Sequence, residues 1–220
     1  VPTSIGFGND FRIKVTRVDG TSGESASTFS LTGAVSAYYV NDGSVASGDW
    51  TTAPGNDAND GLSPATPKAS IRAILEAYDL GASDRIRIDS GVYSLSANII
   101  VTDNDSGVVF EGYHESAYPD RSALLNRGST LSGSYAFEIA GADDLTFEFL
   151  SITGANVGVL VGNGSNRVVV TANRLFGNLT GVQAASGSSA AVIANNTIFN
   201  NAQHGVYLAD SPGAVVAEND

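Results

Sequence analysis

Apolar and polar positions recur at a fixed step along Asp144–Asp220. Val169, Val192 and Val215 are 23 residues apart, as are Ile152, Leu175 and Ile198, and as are Asn173, Asn196 and Asn219. Gly158, Gly181 and Gly205 follow at 23 and then 24, together with Val159, Val182 and Val206 and with Val161, Ala184 and Leu208. A sustained period of this size is read before local propensity, because each unit can bury its apolar face only against the next.

Every unit has the same grammar. A β-branched run (Val168-Val169-Val170-Thr171, then Ala191-Val192-Ile193-Ala194) leads to an Asn. A short apolar pair follows (Leu175-Phe176, Ile198-Phe199), then a polar turn (Gly177-Asn178, Asn200-Asn201), then Gly-Val and small or apolar residues. β-branched residues suit a pleated surface, and Gly and Asn supply the positive φ of tight turns. No unit holds ten residues at helical spacing, which excludes a helical solenoid. Three strands in 23 residues predict one coil of a parallel β-helix, all-β, each strand pairing with its equivalent about 4.8 Å above and below. Asn173, Asn196 and Asn219 then stack, and their amides are expected to bond in a ladder, with the backbone turning through the left-handed region at Asn itself.

The rest of the chain divides around this repeat. Residues 1–35 read as two alternating strands, Phe11–Val18 and Ser27–Thr32, around a turn-rich Asp19–Glu24. Residues 36–82 hold Tyr38-Tyr39-Val40, an Asn/Asp/Gly-rich loop, and one helix over 68–80, with Ile71, Ile74, Leu75 and Tyr78 on one face, Pro67 before it and Gly81 after it. Residues 83–220 are the coils. Strands are predicted at Arg85–Asp89, Val92-Tyr93, Ile99–Thr102 and Val108–Tyr113, then an irregular excursion over 114–134, then strand again from Ala136 to Ile139.

Two stretches carry a family resemblance. Tyr38-Tyr39-Val40 followed by Asn59-Asp60-Gly61-Leu62-Ser63-Pro64-Ala65-Thr66-Pro67 resembles the opening of pectate-lyase-like right-handed parallel β-helix proteins of bacterial secreted or surface type. The resemblance runs over residues 38–220. It implies right-handed coils whose first turn is capped by the helix, and it is specific for fold rather than activity. The hairpin in residues 1–35 resembles the last two strands of an immunoglobulin-like or fibronectin-like sandwich domain.

Composition narrows the function. Eleven basic against 23 acidic residues give a net charge of −12, which argues against nucleic acid or an anionic membrane as partner. There is no 18-residue apolar run, so membrane insertion is not expected. Without Cys there is no disulfide and no thiol chemistry. The absence of Met leads us to expect a mature product or a piece of a longer protein, and the Ser/Thr/Asn/Gly/Asp-rich, Lys-poor composition suits an extracellular or cell-surface setting. Sequons stand at Asn104, Asn163, Asn178 and Asn195.

Candidate chemistry is sparse. Asp57, Asn59 and Asp60 are hard oxygen ligands close together and are candidate calcium ligands, although Asx-turns explain the same residues. No other cofactor is expected. Lyases resembling this architecture use a Lys or Arg base and an acidic calcium cluster, but Glu148, Arg167 and Arg174 read as isolated, without stacked partners. Asp143-Asp144 reads as a solvated turn. His114 and His204 are lone histidines, usually structural. Tyr135, Phe199 and Tyr207 are candidates for sugar stacking against an ordinary packing role. Paired carboxylates cannot be located from spacing. The expectation is a non-catalytic structural or adhesive β-helix segment of a large surface protein, its ends covered by self-assembly or by neighbouring domains. The alternative is a polysaccharide lyase, epimerase or glycan-binding module.

Overall fold

A computed structural model of the chain describes residues 8–11, 14–16, 20–24, 29–31 and 37–220, in two compact units, Val1–Val35 and Ser36–Asp220. In the first unit, β1 (Gly8–Phe11) pairs antiparallel with β4 (Phe29–Leu31), and β2 (Lys14–Thr16) with β3 (Ser22–Glu24). Ser22–Glu24, read from sequence as loop, is therefore strand. Residues 12, 13, 17 and 18 of the first predicted strand, and 27, 28 and 32 of the second, lie outside the described residues.

In the second unit β5 (Ala37–Val40) and helix α1 (Ile71–Ala77) precede five three-strand coils. These are β6 (Arg85–Ile88), β7 (Gly91–Ser94) and β8 (Ile99–Thr102); β9 (Val109–Gly112), β10 (Ala123–Ser129) and β11 (Tyr135–Ala140); β12 (Thr146–Glu148), β13 (Leu150–Ala155) and β14 (Val157–Gly162); β15 (Val169–Thr171), β16 (Arg174–Phe176) and β17 (Thr180–Ala184); β18 (Val192–Ala194), β19 (Thr197–Phe199) and β20 (His204–Leu208). β21 (Val215–Ala217) begins the next. Each strand pairs in parallel with its counterparts one coil away, building three faces: β5-β6-β9-β12-β15-β18-β21, β7-β10-β13-β16-β19 and β8-β11-β14-β17-β20. This is an all-β, right-handed parallel β-helix with a helix at its N-terminal end.

The register makes residues one coil apart vertical neighbours. Val169 pairs with Val192 and Val192 with Val215. Inward side chains therefore form columns such as Ile86–Phe110–Phe147–Val170–Ile193, all fully buried. Phe110 and Phe147 stack at 4.7 Å and 2°, and Phe137 meets both edge-on from another face. Burying an aliphatic or aromatic side chain contributes roughly 1.5–3 kcal/mol, and here the neighbouring coils provide that burial.

Corners repeat as faithfully as strands. Left-handed backbone recurs at Asp144, Arg167 and Ala190 (φ 58, 56 and 52), at Phe149, Ala172, Asn195 and Glu218 (φ 58, 56, 58 and 52), and at Asn163, Ser186 and Asp210 (φ 52, 57 and 51). The turn through positive φ thus falls one residue before Asn173, Asn196 and Asn219, not on them as the sequence suggested. The reason is geometric. The preceding residue swings the chain around the corner, which leaves the Asn amide pointing back at the neighbouring coil.

Two other expectations are corrected. The helix is shorter than 68–80 because Ser70 caps it, its hydroxyl accepting from the Ala73 amide, and because Tyr78 is already extended. Ile71 and Ile74 still face the core. The excursion over 114–134 contains β10, in register with both neighbouring coils over Ala123–Asn126 and shifted before Ser129. Its alternation is masked in sequence by Arg127, which reaches back to the Leu95 carbonyl and to Asn98. Only residues 113–122 leave the coil. No helix among the described residues is long and apolar enough to cross a membrane.

Candidate functional site

The periodic asparagines come together. Asn173 donates its backbone N–H and its side-chain amide to Oδ1 of Asn196, at 3.0 and 3.1 Å, and Asn196 does the same to Asn219 at 3.0 and 2.9 Å. Each amide nitrogen also reaches a carbonyl of the preceding coil: Phe147, Val170 and Ile193 respectively. The column starts at the Leu150 N–H, which donates to Asn173. Asn178 and Asn201 form a second column of identical geometry. Their 23-residue spacing is in the sequence, where both stand as turn formers. Asn178 is buried here, so its sequon is closed. Ser165 and Ser188 are buried a coil apart, their hydroxyls on the Gly162 and Ala185 carbonyls.

Charges described from sequence as isolated also have vertical partners. Arg167 pairs with Asp144, exactly one coil earlier in register, through bonds of 2.6 and 2.7 Å, with Asp143 3.5 Å away. The bond from Arg167 holds the Asp144 carboxyl below its ordinary range. Both groups are more than half exposed, so the pair adds little stability. Glu148 lies beside Glu111 on the neighbouring strand. One guanidinium nitrogen of Arg85 reaches Glu148 at 2.9 Å and Glu111 at 3.2 Å, and Arg87 adds a third contact to Glu111 at 3.0 Å. The Glu148 bond, against opposing desolvation and with the charge of Glu111 adding to it, raises the pKa of Arg85.

The loop with the candidate calcium ligands is closed by its own polar groups. The Asp57 carboxylate accepts from the Ala69 and Ser70 amides and the Ser70 hydroxyl. Asp60 accepts from the Leu62 amide and the Thr66 hydroxyl, which lowers its pKa. Asn59 donates to the Pro67 carbonyl. The buried ammonium of Lys68 bonds the carbonyls of Asp57 and Asn59 at 2.9 and 2.7 Å. A built-in cation therefore holds this loop, and the three side chains are each drawn to a different partner. Among the described residues no cluster of three or more His, Cys, Asp or Glu is placed to hold a metal ion.

Two long loops meet on one corner. Asp89, fully buried, accepts from the Trp50, Thr51 and Ser90 amides and the Thr51 hydroxyl and so pins the 42–51 loop. The Tyr113 hydroxyl donates to the Gly48 carbonyl, and Arg121 to Ser47. Gly48 has φ +97, and a Cβ there would lie 2.0 Å from the Tyr118 ring, so only glycine permits the approach. Trp50 takes Arg87 over its ring at 4.8 Å, meets His114 edge-on at 5.2 Å, and donates to Glu115. His114 in turn stacks on Phe149 at 4.1 Å, with its Nδ1 on the Gly112 carbonyl and its Nε2 3.9 Å from Glu111. Residues 113–122 and the β12–β13 and β15–β16 corners enclose a cleft of about 370 Å³, with Phe149, Ser151, Ala172 and Arg174 on its strand side. Trp50 and His114 are 64 positions apart and belong to no repeat, so no sequence signal joins them.

Two of the three sugar-stacking candidates stack on neighbouring rings. Phe199 stacks on Phe176 at 5.1 Å and 9°, with Arg174 near both rings. Tyr207 stacks on His204 at 5.1 Å. Tyr135 lies in β11, where its backbone N–H donates to Asn98.

No curated protein and no solved structure shows significant similarity to the chain. A family profile described as "Right handed beta helix region" matches residues 86–220, more than half the chain and every coil from β6 onward. With the parallel three-faced coils and their stacked corners, that match makes the chain a member of the right-handed β-helix family.

Proposed function

We propose that the β-helix is a non-catalytic structural and adhesive segment of a larger extracellular or cell-surface protein. The observation that carries the reading is the position of Arg85. Glu111 and Glu148 are register neighbours, an arrangement paired-carboxylate sugar chemistry could use, and a single guanidinium nitrogen bridges them, occupying the space between. The asparagine ladders support the same reading, because they spend polar side chains on coil-to-coil bonding and favour a stiff rod.

Incubation with acidic and neutral polysaccharides, followed for unsaturated product and new reducing ends, is the test. No product is expected; sustained turnover would overturn the reading.

A second reading, glycan binding, is favoured by the cleft beneath residues 113–122.

A further inference from the structure

We propose that the open edge of β7 receives one extended strand of a partner polypeptide, a segment of alternating apolar residues with a basic side chain, which completes the first coil. The assignment rests on the adhesive reading and deepens it by naming the kind of partner held.

A missing strand defines the place. Every strand from β9 onward lies on its counterpart of the preceding coil. In the first coil only β6 has a strand before it, β5, paired in parallel. Helix α1 packs against β6 and β8. β7 ends its sheet, and among the described residues no strand pairs with its free edge. A cleft of about 690 Å³ lies there, between β7 and α1.

The backbone of that edge is ready to pair. Gly91 and Leu95 donate to the Ser122 and Asn126 carbonyls of the next coil, so in a parallel ladder Val92 and Ser94 turn their N–H groups to the open side. Asp42 satisfies the first of these, its carboxylate accepting from the Val92 N–H at 3.1 Å. The Ser94 N–H and the carbonyls of Val92 and Ser94 have no partner among the described residues, and both residues are exposed. An exposed edge of this kind takes up a strand about 4.8 Å away.

The walls of the cleft select the occupant. A second β-helix stacked end on would meet β5 and α1 before its strands reached β7, which leaves a lone extended segment. Ile71, Tyr93 and Ile99 line the inner side, so the residue of the segment that faces them is apolar. Among the charged groups of the lining, Asp42 and Asp57 accept from amides, Lys68 donates to carbonyls, and Arg72 reaches the Asn98 carbonyl. Glu76 alone has no partner among the described residues, which favours a basic residue on the segment.

The test is fluorescence anisotropy on the intact chain with three labelled peptides: Thr-Val-Thr-Val-Lys, the same peptide N-methylated at alternate residues, and the same peptide with Glu in place of Lys. The first is expected to bind and to slow hydrogen exchange at the Ser94 amide. N-methylation should weaken binding at least about tenfold by removing edge hydrogen bonds, and the Glu peptide should bind roughly two- to fivefold less tightly, as for an exposed ion pair. Ser94→Pro removes only the outward N–H, which an edge strand tolerates. It should weaken binding at least about tenfold at little cost in Tm, whereas Ser94→Ala should leave binding unchanged. Ala77→Trp, which fills the cleft from α1, should also block binding and serves if Ser94→Pro fails to fold. No binding of any peptide, equal binding of the N-methylated one, or undiminished binding by both folded Ser94→Pro and Ala77→Trp would each overturn the assignment of the edge. Equal binding of the Lys and Glu peptides would overturn the choice of a basic partner. None of these results touches the non-catalytic reading, which only turnover of a polysaccharide would overturn.

Discussion

Asn173 and Asn196 are 23 residues apart in the chain and 3.1 Å apart in space, amide nitrogen to amide oxygen. Asn196 is 2% exposed and its side chain serves five groups at once: the backbone and side-chain nitrogens of Asn173, the carbonyls of Val170 and Ala194, and Oδ1 of Asn219. Asn196→Ala leaves all five without that partner, most of them in a buried place. Leaving buried polar groups unpaired costs about 1–3 kcal/mol. For a chain of this size that corresponds to roughly 2–4 °C in Tm per kcal/mol. Thermal melting that is unchanged in Asn196→Ala would show the column to be a passenger of the strand pairing.

The Gly158–Gly181–Gly205 column is required by space. A Cβ on Gly181 would lie 2.5 Å from the Gly205 carbonyl oxygen and 3.1 Å from Ile198 Cγ2. Backbone of the next coil cannot withdraw without disturbing its own pairing. Gly181→Ala is therefore expected to destabilise by about 1–3 kcal/mol, in the range of overpacked cores. Denaturant titration reads it directly.

Ala172 and Ala190 are strained for the opposite reason: they hold left-handed backbone, φ 56 and 52, without being glycine. For an L-residue that conformation costs roughly 1–2 kcal/mol, while replacing Ala by Gly frees the unfolded chain by roughly 0.4–1 kcal/mol. The net expectation for Ala172→Gly is a small gain in stability, between about 0 and 1.6 kcal/mol from those two figures. A loss would mean that the Ala methyl packs in a way that offsets the backbone strain.

What the sequence revealed follows from what a period can encode. Val169, Val192 and Val215 declare the coil because burial demands the same residue class at each turn. Asn173, Asn196 and Asn219 declare their column because an amide is needed each time. Asn178 and Asn201, and Asp144 and Arg167, obey the same step, but Asn next to Gly also spells a turn, and an acid and a base one coil apart do not look alike. Left-handed backbone at Ala172 leaves no mark, because alanine is not its usual residue. The cleft was hidden most completely. Trp50, His114 and Phe149 are joined by two excursions from the repeat, and their contacts exist only once strands and loops are assembled.

Lys68 gives the Asn56–Asp60 loop its cation. Its ammonium bonds the Asp57 and Asn59 carbonyls, and the carboxylates of Asp57 and Asp60 already accept from amides and hydroxyls. A chelator is therefore expected to leave Tm unchanged, and added calcium to do no more than a nonspecific divalent ion. Lys68→Met should destabilise the fold by about 1–3 kcal/mol for two charge-assisted bonds left unmade, and lower Tm accordingly. A rise in Tm specific to calcium would restore Asp57, Asn59 and Asp60 as ligands.

Asp105 should make acid locally favourable. It is buried beside the end of β8, and burial, which outweighs the bonds it accepts from the Thr102 amide and hydroxyl, raises its pKa; nearby Asp79 and Asp103 push the same way. The folded state then binds the proton more tightly than the unfolded chain. Stability contributed by this group falls as pH rises from the ordinary Asp value, about 3.9, through the higher folded value, and the cost is complete above it. At neutral pH Asp105 is thus a net liability. Asp105→Asn removes the charge and keeps an oxygen that can accept from Thr102, so the variant should melt above the parent at neutral pH. The difference should shrink as pH falls, because the parent becomes protonated there. Comparing the two proteins across pH isolates this group from the other acidic residues. A variant that melts lower at neutral pH, with the gap closing in acid, would show that the Thr102 bonds to the charged carboxylate outweigh its burial.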